Sequence, residues 1–506
     1  MTAERTGDGA APRRTIDTDP HPFLRVYSAG NFAEVAPERL SIVAWSLVGP
    51  PQERAMRALA DRLWPGTTWC SGSHFAFVGY FACRPYHNLS GLCHMAEQVP
   101  RLTAAEFTAS YFEDAPPPPT PAGLREPGRR RYGAVPRLVR EVASLRSRAT
   151  ELQGAVVELE AAARDALAAR GPLPLGEAFA RARRVVDRAW ELHMACTASL
   201  PALRALQSSL GERASAWWPE LEPWANRPRE LVWSSLADAA ALDWELGPGE
   251  FLSSPFYEVV EDRAPWSDYA PLRPAAPPKA ARRGTGPNPA EAFWRMPGQR
   301  GTRALRASAR AVGDVMANRE LTKSLVMRTL HVVRRLLPPV AAAQSLAADD
   351  WPYLTAGEIA DVHRQRDIGA RAAARRAECA AALALPMPER LDLSPNAIAT
   401  PAAPGGGRGV SAGVAAGVVV DVTLEDAPAE QPRILVADAL DAAVESLLGS
   451  VDGVLTARGS LLSHVATLVR EAGIPAVVGH PLSRTLRPGD AVALDGTTGE
   501  VTRLDA

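Results

Sequence analysis

Residues 453–479, GVLTARGSLLSHVATLVREAGIPAVVG, decide how the C-terminal part of the chain is read. Val454 and Leu455 begin a short buried strand, Arg458 and Gly459 form a polar turn, and Ser463-His464 opens an amphipathic helix over 464–472. Gly473 stops that helix as a C-cap. Ala476-Val477-Val478, short and β-branched, reads as a second strand. Ser463 is a natural N-cap, which places His464 in the first helical turn, where free N–H groups and the helix dipole favour an anion. A cationic imidazole is destabilised there, so the ring stays neutral and nucleophilic. The same N–H groups could hold a phosphoryl group once it is attached to the ring. A surface histidine beside a cap is the plainer alternative.

Several short motifs run through and beyond this stretch: Gly459-Ser460, Ser463-His464-Val465-Ala466, Val469-Arg470-Glu471 and Gly473-Ile474-Pro475-Ala476-Val477-Val478-Gly479. Leu486-Arg487-Pro488-Gly489-Asp490 and Asp495-Gly496-Thr497-Thr498-Gly499-Glu500-Val501 follow. Together they resemble the swivelling phosphohistidine domain of phosphoenolpyruvate-utilising enzymes, a group that includes pyruvate phosphate dikinase, phosphoenolpyruvate synthase and rifampin phosphotransferase. Ser460, Val465, Thr467 and Val469 depart from the family pattern, all by small or apolar replacements. The resemblance implies that His464 is the residue phosphorylated, supported by Ser463 and Gly459.

At 506 residues the chain is too long for one ordinary core, so two or three domains are expected. A 46% hydrophobic and 22% charged composition is that of a soluble globular protein. A formal net charge of −1 gives no electrostatic case for nucleic acid or a membrane surface. No apolar run reaches membrane-spanning length, and the first residues lack the apolar core of a signal peptide. Five scattered cysteines suit a reducing cytoplasm. Of 56 basic residues only Lys279 and Lys323 are lysine, so a lysine is the unusual choice in this chain.

Residues 1–20 are polar and read as disordered. The segment Gly30-Asn31-Phe32-Ala33-Glu34-Val35-Ala36-Pro37 resembles the opening of the substrate-binding region in rifampin phosphotransferase-like proteins; a loop with a proline at a helix start is the alternative. Residues 74–112 are apolar and aromatic, with Asn88-Leu89-Ser90 echoing a segment of the same family. His87 and His94, seven apart, could share a helix face, but without a carboxylate or cysteine at ligand spacing they read as core or pocket-lining side chains beside His74. The proline run 116–121 reads as a stiff linker. Two long helices follow over 133–215, their apolar stripe buried within the chain or against a coiled-coil partner. Trp217, Trp218, Trp224 and Trp233 either line an apolar ligand pocket or pack between helices. Residues 262–300, with Lys279, read as a long loop.

The helix expected over 301–338 carries Arg319 and Lys323, four apart and therefore neighbours on one face. They repel unless an anion lies between them, and a phosphoryl group in transit needs such cations. A solvated basic face is the alternative. The segment Arg319-Glu320-Leu321-Thr322-Lys323 is similar to one in the substrate domain of the same family, as is 349–359; Arg328 and His331 are further candidates for the same cavity. An Ala- and Arg-rich helix over 356–384 follows, then a proline- and glycine-rich hinge over 386–409. Strands over 418–422 and 433–437 begin the last domain, whose entry at 408–417 resembles the family's with Ala412 in place of proline.

The fold expected is a large, mostly helical substrate-binding domain over 21–385, the hinge, and a small α/β swivelling phosphohistidine domain over 410–506. The N-terminal part reads as helical throughout, and neither GxxxxGK[ST] nor GxGxxG after a strand is present. The resemblance therefore implies that ATP and Mg²⁺ sit on a separate ATP-grasp-like subunit, which cleaves ATP to AMP and leaves the β-phosphate on His464. The acceptor would be a hydroxyl of a small, largely apolar molecule, in natural-product biosynthesis or for later elimination. No cofactor or metal site is expected on this chain itself. A phosphocarrier remnant or ligand-binding scaffold is the rival reading. Direct use of phosphoenolpyruvate would need a barrel domain that the sequence does not carry.

Overall fold

The computed structural model describes residues 16–208, 303–394 and 407–504, and the single residue Val259. Short stretches inside those ranges are not described: 31, 33–35, 37–38, 68, 71, 113–116, 119–123, 125–127, 386, 423–430, 440–443, 445–446 and 459–463. Gly459, Ser463, Lys279 and the four tryptophans between 217 and 233 thus lie outside the described residues, as does most of the 116–121 proline run.

The N-terminal unit begins with strand β1 (Val26–Ser28) and helix α1 (Ile42–Leu63), followed by the hairpin β2 (Val78–Phe81) and β3 (Arg84–Asn88). Helices α2 (Leu89–Glu97) and α3 (Ala104–Tyr111) come next, then two long antiparallel helices, α4 (Gly128–Ala169) and α5 (Pro172–Ser208). Helix α6 (Arg303–Ala343) packs across both, and α7 (Ala356–Ala360) and α8 (Ile368–Leu383) follow. Strand β4 (Arg390–Asp392) then returns to pair antiparallel with β1, giving a four-stranded sheet in the order β2-β3-β1-β4. This sheet corrects the expectation of a wholly helical N-terminal part. Its strands are three to five residues long, and β1 and β2 are wholly buried, so they show no polar alternation to separate them from short helices.

One apolar cluster runs through this unit from Leu24 to Ala382. Glu53 on α1, 3% exposed, accepts hydrogen bonds from the backbone N–H groups of Ala76, Phe77 and Val78 at 2.9, 2.9 and 3.3 Å, and from Arg57 Nε at 2.6 Å. One buried carboxylate thereby fixes the start of β2 against α1. The expected helix over 356–384 is broken by a 3-10 turn at Val362–Arg364, and Asp367 takes the left-handed conformation (φ 56°) just before α8.

The C-terminal unit is a seven-stranded sheet in the order β11-β10-β6-β7-β8-β9-β5. Its strands are β5 (Arg408–Ser411), β6 (Val414–Val420), β7 (Arg433–Ala439), β8 (Gly453–Arg458), β9 (Ala476–Val478), β10 (Ala491–Asp495) and β11 (Val501–Arg503). The four central strands β6 to β9 are parallel, and helix α9 (His464–Ala472) is the crossover from β8 to β9. Alternation of period two divides the apolar residues between the faces. Leu435, Val454 and Val478 join Ala466, Val469 and Ala472 of α9 in one cluster, whereas Ile434, Leu455 and Val477 join Val492 and Leu494 in another. Helix α9 ends as expected: Gly473 has φ 66°, its N–H bonds to Arg470 O at 3.2 Å, and the Ile474 N–H bonds to Val469 O at 2.9 Å. That is a Schellman end, and it favours glycine because a Cβ is strained at this φ.

The hinge expected over 386–409 is shorter in the fold. Ala29 N–H bonds to Glu389 O, Tyr86 Oη to Pro388 O and Arg84 Nη1 to Met387 O, at 2.8, 2.8 and 2.6 Å, so 387–392 is stitched to the N-terminal sheet. Residues 393–407 remain between β4 and β5.

Candidate active site

His464 is the first residue of α9, at the carboxyl end of the parallel strand β8. In open α/β sheets, ligands bind outside the carboxyl ends of the strands, and a helix N-terminus there presents N–H groups to an anion. The backbone therefore puts this residue at a helix start, a position that favours an anion. Its proposed neighbours Ser463 and Gly459 fall outside the described residues.

The second half of the candidate site is a cavity of about 120 Å³ in the N-terminal unit, walled by α1, β2, β3, α2, α3, α5 and α6. For scale, an engineered apolar cavity of about 150 Å³ holds a benzene molecule. Most of the wall is aromatic or aliphatic, with Phe77, Phe107, Phe112 and Trp190 among its residues. Two cations stand in it, Arg319 and Lys323. Arg319 is 6% exposed, which replaces the alternative of a solvated basic face. Four residues apart on α6, the two side chains share a face because successive helical turns bring i and i+4 together.

Between them on the chain, fully buried Thr322 donates its hydroxyl to Arg319 O at 3.0 Å and lies 3.2 Å from Nδ1 of His193 on α5. His193 lines the same cavity. No local pattern around residue 193 announces this, since the contact crosses from α5 to α6.

Arg328 and His331, the other two expected members, are placed elsewhere. Neither lines the cavity. Arg328 is buried and gives two hydrogen bonds to Glu160, at 2.8 and 2.6 Å, so its charge is spent holding α6 to α4. His331 accepts from Arg334 Nη2 at 2.9 Å, and burial, aided by Arg334 and Arg335, pushes its pKa down to about 3. The three histidines of 74–112 also separate. His87 lies in β3 and His94 in α2, so they share no helix face. His87 stacks on Phe32 with ring centroids 4.2 Å apart and lines the cavity; burial lowers its pKa to about 3. Asn88 joins the two elements, capping α2 through Gly91 N–H and donating to Leu24 O.

With the geometry in place, similarity to known proteins becomes informative. Residues 429–499 match the family model described as the mobile domain of PEP-utilising enzymes. Residues 429–499 thus carry the mobile-domain signature of phosphoenolpyruvate-utilising enzymes. The chain is rifampin phosphotransferase-like: 203 residues are 30% identical to a rifampicin phosphotransferase of Streptomyces sviceus, covering 37% of this chain and 23% of that one. A rifampicin phosphotransferase of Bacillus subtilis is 35% identical over 83 residues, 16% of this chain and 10% of that one. A chondramide synthase of Chondromyces crocatus is 43% identical over 83 residues, 16% of this chain and 2% of that one. The chain thus spans less than a quarter of the length of each of these relatives. Among the described residues, no helix is long and apolar enough to cross a membrane.

Proposed function

We propose that this chain is a phosphotransferase component that carries a phosphoryl group on His464 to a hydroxyl of a small, largely apolar molecule seated in the aromatic cavity. The observation that carries this reading is the presence of Arg319 and Lys323 in the wall of a mostly aromatic and aliphatic cavity. The two cations share one helix face at the cavity wall, and cations so placed offset the charge of a transferring phosphoryl group.

In the first step a neutral His464 ring nitrogen attacks the β-phosphorus of ATP held by an ATP-grasp-like partner; the N–P bond forms and the α–β P–O bond breaks to release AMP. Water then cleaves the terminal phosphate as inorganic phosphate, leaving one phosphoryl group on the ring. In the second step the substrate hydroxyl oxygen attacks the same phosphorus. The O–P bond forms, the N–P bond breaks and returns its electron pair to the ring, and the hydroxyl proton passes to a base or to water. Arg319 and Lys323 hold the phosphoryl oxygens as charge spreads over them. The relatives named rifampicin phosphotransferase support transfer to a small molecule, and the chondramide synthase match is consistent with a natural-product setting.

The test combines the full chain, the candidate nucleotide-binding partner and ATP labelled at the β-phosphorus. Acid-labile, base-stable label should appear on the chain and vanish in His464→Ala. Label that persists in that variant sends the phosphoryl group elsewhere and ends this reading.

A further inference from the structure

Four uncharged residues of the cavity wall carry a buried polar side-chain atom with no hydrogen-bond partner among the described residues: Gln52 Oε1, Trp64 Nε1, His87 Nδ1 and Thr197 Oγ1. Leaving one such group unmatched costs about 1–3 kcal/mol, so native interiors keep few of them. Here they gather on a single cavity, and Gln52 and Trp64 are each only 2% exposed. Both come from α1 and its C-cap, the element that Glu53 fixes against β2. Their positions are therefore set by the scaffold and not by a surface loop.

The chemistry of the four atoms is specific. A carboxamide oxygen only accepts, an indole N–H only donates, and a threonine hydroxyl does both. His87 adds a neutral ring, since it meets the cavity without charge at ordinary pH. Among the described residues no aspartate or glutamate lines the cavity, and the two charged side chains there, Arg319 and Lys323, are cationic, so a cationic ligand would meet desolvation and like charge.

We propose that the cavity selects an uncharged ring compound that carries a hydroxyl to donate to Gln52 Oε1 and a carbonyl or ether oxygen to accept from Trp64 Nε1, and that it excludes amines. This names the substrate class for the transfer proposed above and rests on that reading. Gln52 and Trp64 are specificity-determining residues in it. They fix which molecule enters, while Arg319 and Lys323 face the phosphoryl group.

The experiment is calorimetry on the full chain with four single-ring probes: 4-hydroxyacetophenone, 4-ethylphenol, ethylbenzene and 2-phenylethylammonium. In the unmodified protein 4-ethylphenol should bind about 10-fold tighter than ethylbenzene, the worth of one recovered buried hydrogen bond. Gln52→Leu should remove that preference while ethylbenzene binding is kept or improved. Trp64→Phe, which retains an aromatic ring but no N–H, should remove the advantage of 4-hydroxyacetophenone over 4-ethylphenol. The ammonium probe should bind at least 10-fold more weakly than ethylbenzene, for want of a counter-charge. Equal binding of 4-ethylphenol and ethylbenzene, a preference that survives Gln52→Leu, an ammonium probe that binds as well as the neutral ones, or no binding by any probe each overturns the proposal. The wild-type comparison and Trp64→Phe decide it if Gln52→Leu does not fold. A chain that shows the expected ratios but never takes label on His464 leaves this inference standing and removes the phosphotransfer reading instead.

Discussion

Glu160 on α4 holds Arg328 on α6 with both carboxylate oxygens, at 2.8 and 2.6 Å, inside a packed helix interface. The pair is buried, with side chains 4% and 8% exposed, so removing one partner strands the other charge away from water. Arg328→Met should therefore cost about 3–5 kcal/mol in denaturant unfolding. The double variant Glu160→Leu/Arg328→Met should recover most of that loss, because an apolar pair of similar volume carries no desolvation penalty. A single variant within 1 kcal/mol of the parent would show that the two groups do not depend on each other.

Lys323→Ala should still accept label on His464, yet discharge it to the acceptor about 100-fold more slowly or worse, the usual consequence of losing one group aimed at transition-state charge. The measurement is single-turnover loss of label from the charged chain. Unchanged discharge would remove Lys323 from the transfer.

Two buried histidines make the fold acid-sensitive. His87 and His331 have pKa values lowered to about 3, chiefly by burial, from an ordinary 6.5. Below pH 6.5 the unfolded chain takes up protons at these rings while the folded chain does not, so stability is full above pH 6.5 and falls as the pH drops towards 3. At pH 5 each ring should cost about 2 kcal/mol. Denaturation midpoints at pH 7.5 and 5.0 measure this, and the double variant His87→Phe/His331→Leu should show the smaller pH dependence. A parent protein with equal midpoints at both pH values would refute it.

Cys83, in the turn between β2 and β3, lies with its Sγ 2.9 Å from that of Cys379 on α8, although 296 residues separate them. Treatment with diamide should couple this pair, and peptide mapping should find that link before any other. The cross-link should raise the melting temperature, with an upper bound of about 5 kcal/mol from loop closure. Preferential coupling of other cysteines would argue against the arrangement.

Gly473→Ala should weaken the C-terminal unit by about 1 kcal/mol. No atom stands within 4 Å of the added Cβ, so the cost is the backbone strain at φ 66°. Amide exchange in strands β7 to β9 should quicken while that of α4 and α5 stays as it was. Faster exchange in both units would mean that they unfold together.

The C-terminal unit was largely legible because its elements announce their ends. Gly473 closes α9, a three-residue β-branched run makes β9, and α9 begins at His464 as the cap at Ser463 implied. The N-terminal sheet was not legible, because β1 and β2 are buried on both faces and carry no period-two pattern. Arg319 and Lys323 could be found from their i, i+4 spacing and the scarcity of lysine. The same reasoning misplaced Arg328, because the deciding partner, Glu160, is 168 residues away. Gln52, Trp64 and His193 were missed for a related cause: each reaches the cavity only through packing between elements distant in sequence.

Strand β4 is sewn to the first sheet and β5 to the second, so Asp392 and Arg408 are the two ends of a leash. Even drawn straight, that leash reaches no farther than about 55 Å. On the proposed reading, an ATP-charging centre on another polypeptide would have to dock within that reach.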